Sequence, residues 1–295
     1  MESKALLTRQ DHILHACLYA LLALSIVLCA YPVYFVLVAS VSSPTAANSG
    51  QLLLIPKDFH LDGYRFVLSD SRIAIGYMNT IIYTVFGTLT GLASSLLAGY
   101  SLSRKDLPFR NLIMALFVFT MYFSGGLIPI YMVVRWLGLV NTRLSIIILG
   151  SVSVYNIILI RTFFSSTIPV ELQEAAFIDG CSNTRFFLQF VLPLSTAIIS
   201  VIALYLAVGY WNSYFLALIY LSDRNKHPLQ LFLRDILLVQ TGGEMADENL
   251  NSERKKMVQV VKYAVIVVST FPIMCLYPFL QKYFIKGVMI GSLKG

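Results

Sequence analysis

The 295-residue sequence predicts an all-α integral membrane protein with six transmembrane helices. It is 57% hydrophobic and 13% charged, against about 45–50% and about 25% in soluble domains. Its apolar residues gather in six stretches, each long enough to cross a hydrocarbon core, which takes about 20 helical residues. None shows the alternating polarity of a transmembrane barrel strand. Backbone polar groups in lipid must bond within their own segment, so the stretches are read as helices. They fall at 13–41, 77–101, 111–134, 145–165, 195–221 and 259–281, leaving 1–12 as an N-terminal segment and 13–295 as a single transmembrane domain. The net charge of +7 reads as charge on membrane loops, and no nucleic-acid partner is expected. Cys17, Cys29, Cys181 and Cys275 form no C-x-x-C pair, so no zinc or redox motif is visible.

The first stretch follows Lys4 and Arg9 in the manner of a signal peptide, but its apolar run is about twice the length of a signal-peptide core. Ile26, Val27 and Leu28 before Cys29 are too large for a lipoprotein cleavage site, so the helix is expected to be retained. The connection 42–76 holds Pro44, Pro56 and several Asp and Ser residues, and is long for a compact domain. The second stretch carries Gly87, Gly91, Ser95 and Gly99 at intervals of four, which puts small side chains on one face for close helix packing. Arg161 and Lys262 each lie near a span end, where a long basic side chain can snorkel to the interface. The connection 222–258 holds Asp223-Arg224-Asn225-Lys226-His227 and a polar run from Thr241 to Lys256. Within it, Leu229, Leu231, Phe232 and Ile236 are spaced for a short amphipathic helix.

Six crossings place both termini on one side and the two long connections on the other. Charge does not say which side is which. Ten of the 22 Lys and Arg fall on the terminal side, with the compact turn Ser101–Arg110 favouring one orientation and Arg135 and Arg143 opposing it.

What the spans lack is equally informative. No Asp or Glu lies within any of them, so the usual machinery of proton or sodium coupling is missing. His12, His15, His60 and His227 stand near or outside the membrane edge and make no H-E-x-x-H or other intramembrane protease pattern. The chain has no G-x-x-x-x-G-K-[ST] loop for ATP. No enzymatic activity, no metal and no cofactor is expected in this chain; any uphill movement of solute would draw its energy from another subunit.

The terminal-side segment 166–194 is amphipathic. Thr167 can cap a helix, Pro169 suits a first turn, and Glu171 sits near the positive helix end. Gly180 is placed to end the helix with a left-handed residue. Leu172, Ala175 and Ala176 share one face, where two alanines would let another surface come close. Ser182 can cap a second short helix holding Phe186, Phe187 and Phe190, ended by Leu192-Pro193. The result is a helix–turn–helix elbow at the membrane surface.

Glu174-Ala175-Ala176, Gly180 and Leu192-Pro193 reproduce the spacing of the EAA motif of ABC importer permeases, with Phe190 where the pattern usually has Ile. The chain therefore resembles that family. The resemblance implies a type I ABC importer permease fold in the bacterial plasma membrane, with the elbow as a cytoplasmic coupling helix and Glu174, Ala175, Ala176, Asp179 and Gly180 as its ATPase-coupling residues. Both termini would then be cytoplasmic and 42–76 and 222–258 extracytoplasmic.

The chain also resembles the sugar permeases related to the second permease subunit of the maltose importer. The resemblance lies in the Gly-spaced tail Lys282–Gly295, in Trp211-Asn212-Ser213-Tyr214-Phe215, and in Gly125-Gly126-Leu127-Ile128-Pro129-Ile130-Tyr131 followed by Leu137-Gly138-Leu139-Val140-Asn141-Thr142. The paired glycines resemble those of the branch importing oligosaccharides from complex plant polysaccharides. The resemblance implies a heterodimer with a second homologous permease, two ATPase subunits that bind ATP and Mg, and an extracellular solute-binding protein that delivers an oligosaccharide; the connection 222–258, long, polar and on the outer side, is where that protein is expected to dock. Sugars are bound by aromatic faces and uncharged hydrogen-bonding groups, so Trp211, Asn212, Tyr214 and Phe215 are the expected pathway residues, with Asn79, Thr80, Tyr83 and Tyr122 as further polar candidates. The EAA segment alone would also fit a permease for a non-sugar solute.

Overall fold

The structure, a computed structural model, describes residues 9–43, 46, 54–241 and 261–275. The N-terminal segment 1–8, the loop residues 242–260 and the tail 282–295, to which the sequence assigns roles, lie outside the described residues. Described residues form helices and connecting turns, with no strand among them. They divide into two units: one from residues up to 69 together with 236–241 and 261–269, the other from 70–235 together with 270–275.

In the first unit, α1 (Arg9–Ser40) is an apolar helix whose residues 12–34 are exposed. A helix of this length with an uncovered apolar surface is suited to lipid or to another membrane helix. Its last turn is covered: Val38 and Ala39 are buried beside Phe35, Ala46 and Tyr263. The chain returns to it through Ser43 N–H to Lys57 O and His60 N–H to Val41 O, each 3.0 Å, and leads into α2 (Asp62–Ser69).

The second unit is built on α3 (Ser71–Ser103), which starts six residues ahead of the expected span. Asp70 caps it by accepting from Arg72 N–H at 2.9 Å. Next come α4 (Arg110–Tyr122), α5 (Leu127–Trp136), α6 (Arg143–Leu149), α7 (Val154–Thr167), α8 (Val170–Ile178), α9 (Asn183–Leu194), α10 (Thr196–Trp211) and α11 (Phe215–Tyr220). The helix expected around Leu229 runs over Leu229–Thr241 (α12). The last described helix is α13 (Val261–Cys275).

The small-residue face of α3 is its packing face. A Cβ added at Gly87 would lie 2.3 Å from the Tyr210 ring, one at Gly91 would lie 3.0 Å from Ser151 O, and one at Gly99 would lie 2.5 Å from Ile160 Cγ2. Only hydrogen at these positions lets α10 and α7 approach so closely. The Tyr210 ring that fills the space over Gly87 also donates its hydroxyl to Ile147 O at 2.6 Å.

Three stretches read from sequence as single helices are broken. The third bends by 113° between α4 and α5, the fourth by 46° between α6 and α7, and the fifth stops at Trp211 and resumes at Phe215. Each break has a local cause. Gly126 adopts φ +82°, a left-handed conformation that suits glycine, with its N–H on Ser124 Oγ at 3.2 Å. Ser153 caps α7 by accepting from Asn156 N–H at 3.4 Å. At the third break Asn212 supplies a side-chain competitor for the helix carbonyls, its Nδ2 donating to Val208 O at 2.9 Å.

Candidate functional site

The elbow consists of α8 and α9. Thr167 belongs to the last turn of α7 and does not cap α8; Pro169, at φ −62°, occupies the cap position itself, one residue before the first turn expected for it. Glu171 stands in the first turn, where a carboxylate meets the positive helix end. The other end closes in a Schellman arrangement: Cys181 N–H reaches Ala176 O at 2.9 Å and Gly180 N–H reaches Phe177 O at 3.0 Å. Gly180 sits at φ +77°, and a Cβ there would meet nothing within 4 Å, so what selects glycine is backbone conformation and not space.

Only one of the two alanines on α8 faces outward. Ala176 is buried with Phe186, Phe187 and Val191, and Leu172 and Phe177 pack beside it. The outer ridge is Val170, Glu171, Glu174, Ala175 and Ile178, with Asp179 and Gly180 at its end, all exposed. Ile178 is 86% exposed and was not singled out from sequence, although it stands four residues after Glu174.

In α9, Ser182 caps as expected, accepting from Arg185 N–H at 3.3 Å. The chain then widens into a π turn over Phe187–Val191. Pro193 has no N–H to offer the Gln189 carbonyl, and Leu192 N–H instead bonds Phe187 O, one residue further back.

Arg104, at the end of α3, meets the elbow. Its Nε and Nη2 donate to the two carboxylate oxygens of Asp106 at 2.9 Å each, and its guanidinium lies 5.2 Å from the Phe177 ring centre and 5.8 Å from that of Tyr100. The hydrogen bond from Arg104 holds the Asp106 carboxyl below its ordinary range. The contribution of the pair is therefore present above the ordinary carboxylate pKa and fades as pH falls through the lowered value. Arg161, expected only to snorkel, donates from Nε to Leu102 O at 3.2 Å and so satisfies a terminal carbonyl of α3.

The expected pathway residues separate into two groups. Asn212, Tyr214 and Phe215 lie exposed at the break between α10 and α11, with the Arg234 guanidinium 6.0 Å from the Tyr214 ring centre. Trp211 is buried, its ring 6.2 Å from that of Tyr77. Tyr122 is exposed at the end of α4, just before the sharp bend.

Asn79, Thr80 and Tyr83, in contrast, are buried and occupied. Asn79 Nδ2 donates to Asn225 O at 2.8 Å and His227 O at 3.1 Å, and its Oδ1 accepts from Arg143 Nη2 at 3.1 Å. The Tyr83 hydroxyl donates to Lys226 O at 2.7 Å, and Thr80 Oγ1 accepts from Leu229 N–H at 2.8 Å, satisfying the first turn of α12. Asn141, at φ 61°, accepts from Asp223 N–H at 3.0 Å, and its carbonyl accepts from Lys226 Nζ at 2.8 Å. Together they strap residues 223–229 onto α3 and onto the turn that precedes α6. The near-isosteric change Thr80→Val leaves Leu229 N–H buried without its acceptor, a loss of about 1–3 kcal/mol. It is expected to speed amide exchange at the start of α12 while α3 itself stays protected.

Comparison with known proteins agrees with this architecture. A family profile described as "Binding-protein-dependent transport system inner membrane component" matches residues 91–290. The polygalacturonan/rhamnogalacturonan transport system permease protein YtcP of Bacillus subtilis (strain 168) is 40% identical over 280 residues, covering 94% of this chain and 97% of the relative. Protein LplC of the same organism is 38% identical over 268 residues, covering 90% and 89%. A chain in the crystal structure of a bacterial ABC transporter involved in the import of the acidic polysaccharide alginate superposes with a TM-score of 0.84 at 32% identity, covering 95% of this chain and all of that one.

Proposed function

Because the chain belongs to the family of binding-protein-dependent transport system inner membrane components and has the type I ABC importer permease fold, we propose that it forms the passage for an oligosaccharide delivered by an extracellular solute-binding protein. It is a membrane permease and not an enzyme; ATP hydrolysis belongs to a separate ATPase subunit. In the assembled importer it pairs with a second homologous permease in a heterodimer, and two ATPase subunits bind ATP and Mg beneath them. The membrane is the bacterial plasma membrane. The elbow and both termini face the cytoplasm, 42–76 and 222–258 face outward, and the tail 282–295 runs toward the ATPase.

The observation that carries this reading is the end-to-end similarity to polysaccharide-importer permeases. The elbow geometry supports the mechanism. Glu174, Ala175, Ile178 and Asp179 form the ridge that enters a cleft of the ATPase, Ala176 and Leu172 hold that ridge to the bundle, and Gly180 sets its turn. Closure of the ATPase pair pushes the ridge and rocks the spans between inward-open and outward-open forms. Asn212, Tyr214 and Phe215, exposed where the fifth span is broken, line the sugar path, with Trp211 behind them and Tyr122 as a further contact. Asn79, Thr80 and Tyr83 brace the outer turn 223–229 instead of touching the sugar.

The acidic polysaccharides named for two of the similar proteins make oligogalacturonides the first solutes to test. Cells lacking this chain are expected to lose uptake of an oligosaccharide that the partner binding protein captures, and to regain it when the chain is restored. Unchanged uptake of every captured sugar would count against the reading. Asn212→Ala is expected to lower uptake about tenfold with normal membrane assembly, on the order of one lost hydrogen bond to substrate; unchanged uptake would remove Asn212 from the path.

A further inference from the structure

We infer that Arg104 is the positioning residue that ties the elbow to α3, so that movement of the elbow is passed to that helix as a directed push. The inference rests on the permease reading above. The elbow otherwise meets α3 and α7 through an apolar cluster in which Leu96 of α3 and Ile160 of α7 are buried with Ala176, Phe186 and Val191 of the elbow, and Tyr100 lies 4.9 Å from Phe187, ring centre to ring centre. Within the elbow, Phe177 meets Phe186 at 6.0 Å and Phe186 meets Phe190 at 5.4 Å. Burial of the aliphatic members is non-directional and tolerates sliding, and an uncharged ring pair adds only a modest geometric preference.

Arg104 adds the directional element. Its side chain is 9% exposed, and the paired bonds to Asp106 fix the plane of the guanidinium. A third bond, from Nη1 to the Tyr100 hydroxyl at 3.3 Å, anchors it to α3. Its carbonyl accepts from Arg110 Nη1 at 3.4 Å, which adds the start of α4 to the same joint. So held, the cation stands beside the Phe177 ring of α8, an attraction strengthened where water is excluded. The same α3 carries Asn79, Thr80 and Tyr83 near its other end, bonded to the turn 225–229. One helix is thus latched to the elbow at one end and to the outer turn at the other, and Arg104 is the charged member of the elbow latch.

The test uses the complete transporter, with both permeases, the ATPase and the binding protein, in vesicles where solute uptake and ATP hydrolysis are read on one sample. Arg104→Gln, which loses the cation, and Phe177→Leu, which keeps apolar bulk but loses the ring face, are each expected to raise the ATP consumed per solute carried about tenfold, the size of a typical coupling free energy. Arg104→Lys keeps charge without the planar fork and is expected to give a smaller rise. An unchanged ratio would overturn the inference. It would do so whether uptake stays normal or whether uptake and hydrolysis fall together with the amount of assembled transporter, as for a purely stabilising residue. Absence of uptake by the unsubstituted transporter would instead overturn the permease reading, and the inference with it.

Discussion

Gly180→Val is expected to abolish most solute uptake while leaving the protein assembled in the membrane. Gly180 sits at φ +77° with its N–H bonded to Phe177 O, a conformation that costs a β-branched residue about 1–3 kcal/mol. A Cβ at this position meets nothing within 4 Å, so the cost is one of backbone conformation and not of space. The strain is therefore relieved locally, by unwinding the turn that aims Glu174, Ala175 and Ile178. ATP hydrolysis would continue without a matching movement of solute. Gly180→Asn, which enters the left-handed region more readily, is expected to recover much of the uptake. Full uptake by the valine variant at normal expression would remove the elbow from the coupling step.

Gly99→Val is expected to fail in the opposite way, by loss of folded protein. Its Cβ would lie 2.5 Å from Ile160 Cγ2, 2.9 Å from Ile160 Cβ and 3.3 Å from Arg161 N. The last two are fixed to the backbone of α7, so the helices must separate. Overpacking of this kind costs about 1–3 kcal/mol or more, and separation also draws Arg161 away from Leu102 O, which it caps at 3.2 Å. The folded fraction after detergent extraction and the thermal midpoint are both expected to drop, with Ile160→Ala restoring part of the loss. A valine variant as stable as the parent would contradict the close α3–α7 contact.

Sequence pattern reveals what depends on local chemistry and conceals what depends on distant partners. The EAA spacing, the glycine stop at Gly180, the Ser182 cap and the helix beginning at Leu229 are each local, and each is found as read. The glycine and serine face of α3 was also legible, because four-residue spacing fixes which residues share a helix side. The broken spans were not. Hydropathy responds to composition and not to backbone direction, so 111–134 reads as one run although its halves meet at 113°. The paired Gly125-Gly126 was the available signal.

Asn79, Thr80 and Tyr83 show the limit most clearly. Polar side chains within an apolar span suggest contact with a polar solute, but Asn79 Nδ2 donates to carbonyls nearly 150 residues away and its Oδ1 accepts from Arg143, and no spacing rule reaches them. Arg104 enters the sequence reading only as part of the charged turn Ser101–Arg110, because its ring partner Phe177 lies in another element. Ala176 shared a helix face with Ala175 in the sequence reading, yet one turns inward and the other outward.

The central claim is that this chain moves an oligosaccharide with energy supplied by a separate ATPase through the elbow. It is tested most directly by uptake of a labelled oligogalacturonide into vesicles holding the complete transporter, with ATP supplied on the elbow side and the binding protein on the other. Accumulation is expected only when ATP, ATPase and binding protein are all present, and is expected to vanish with Gly180→Val. Accumulation driven by a proton or sodium gradient in vesicles without the ATPase would contradict the account, because it would require coupling groups that the spans do not contain.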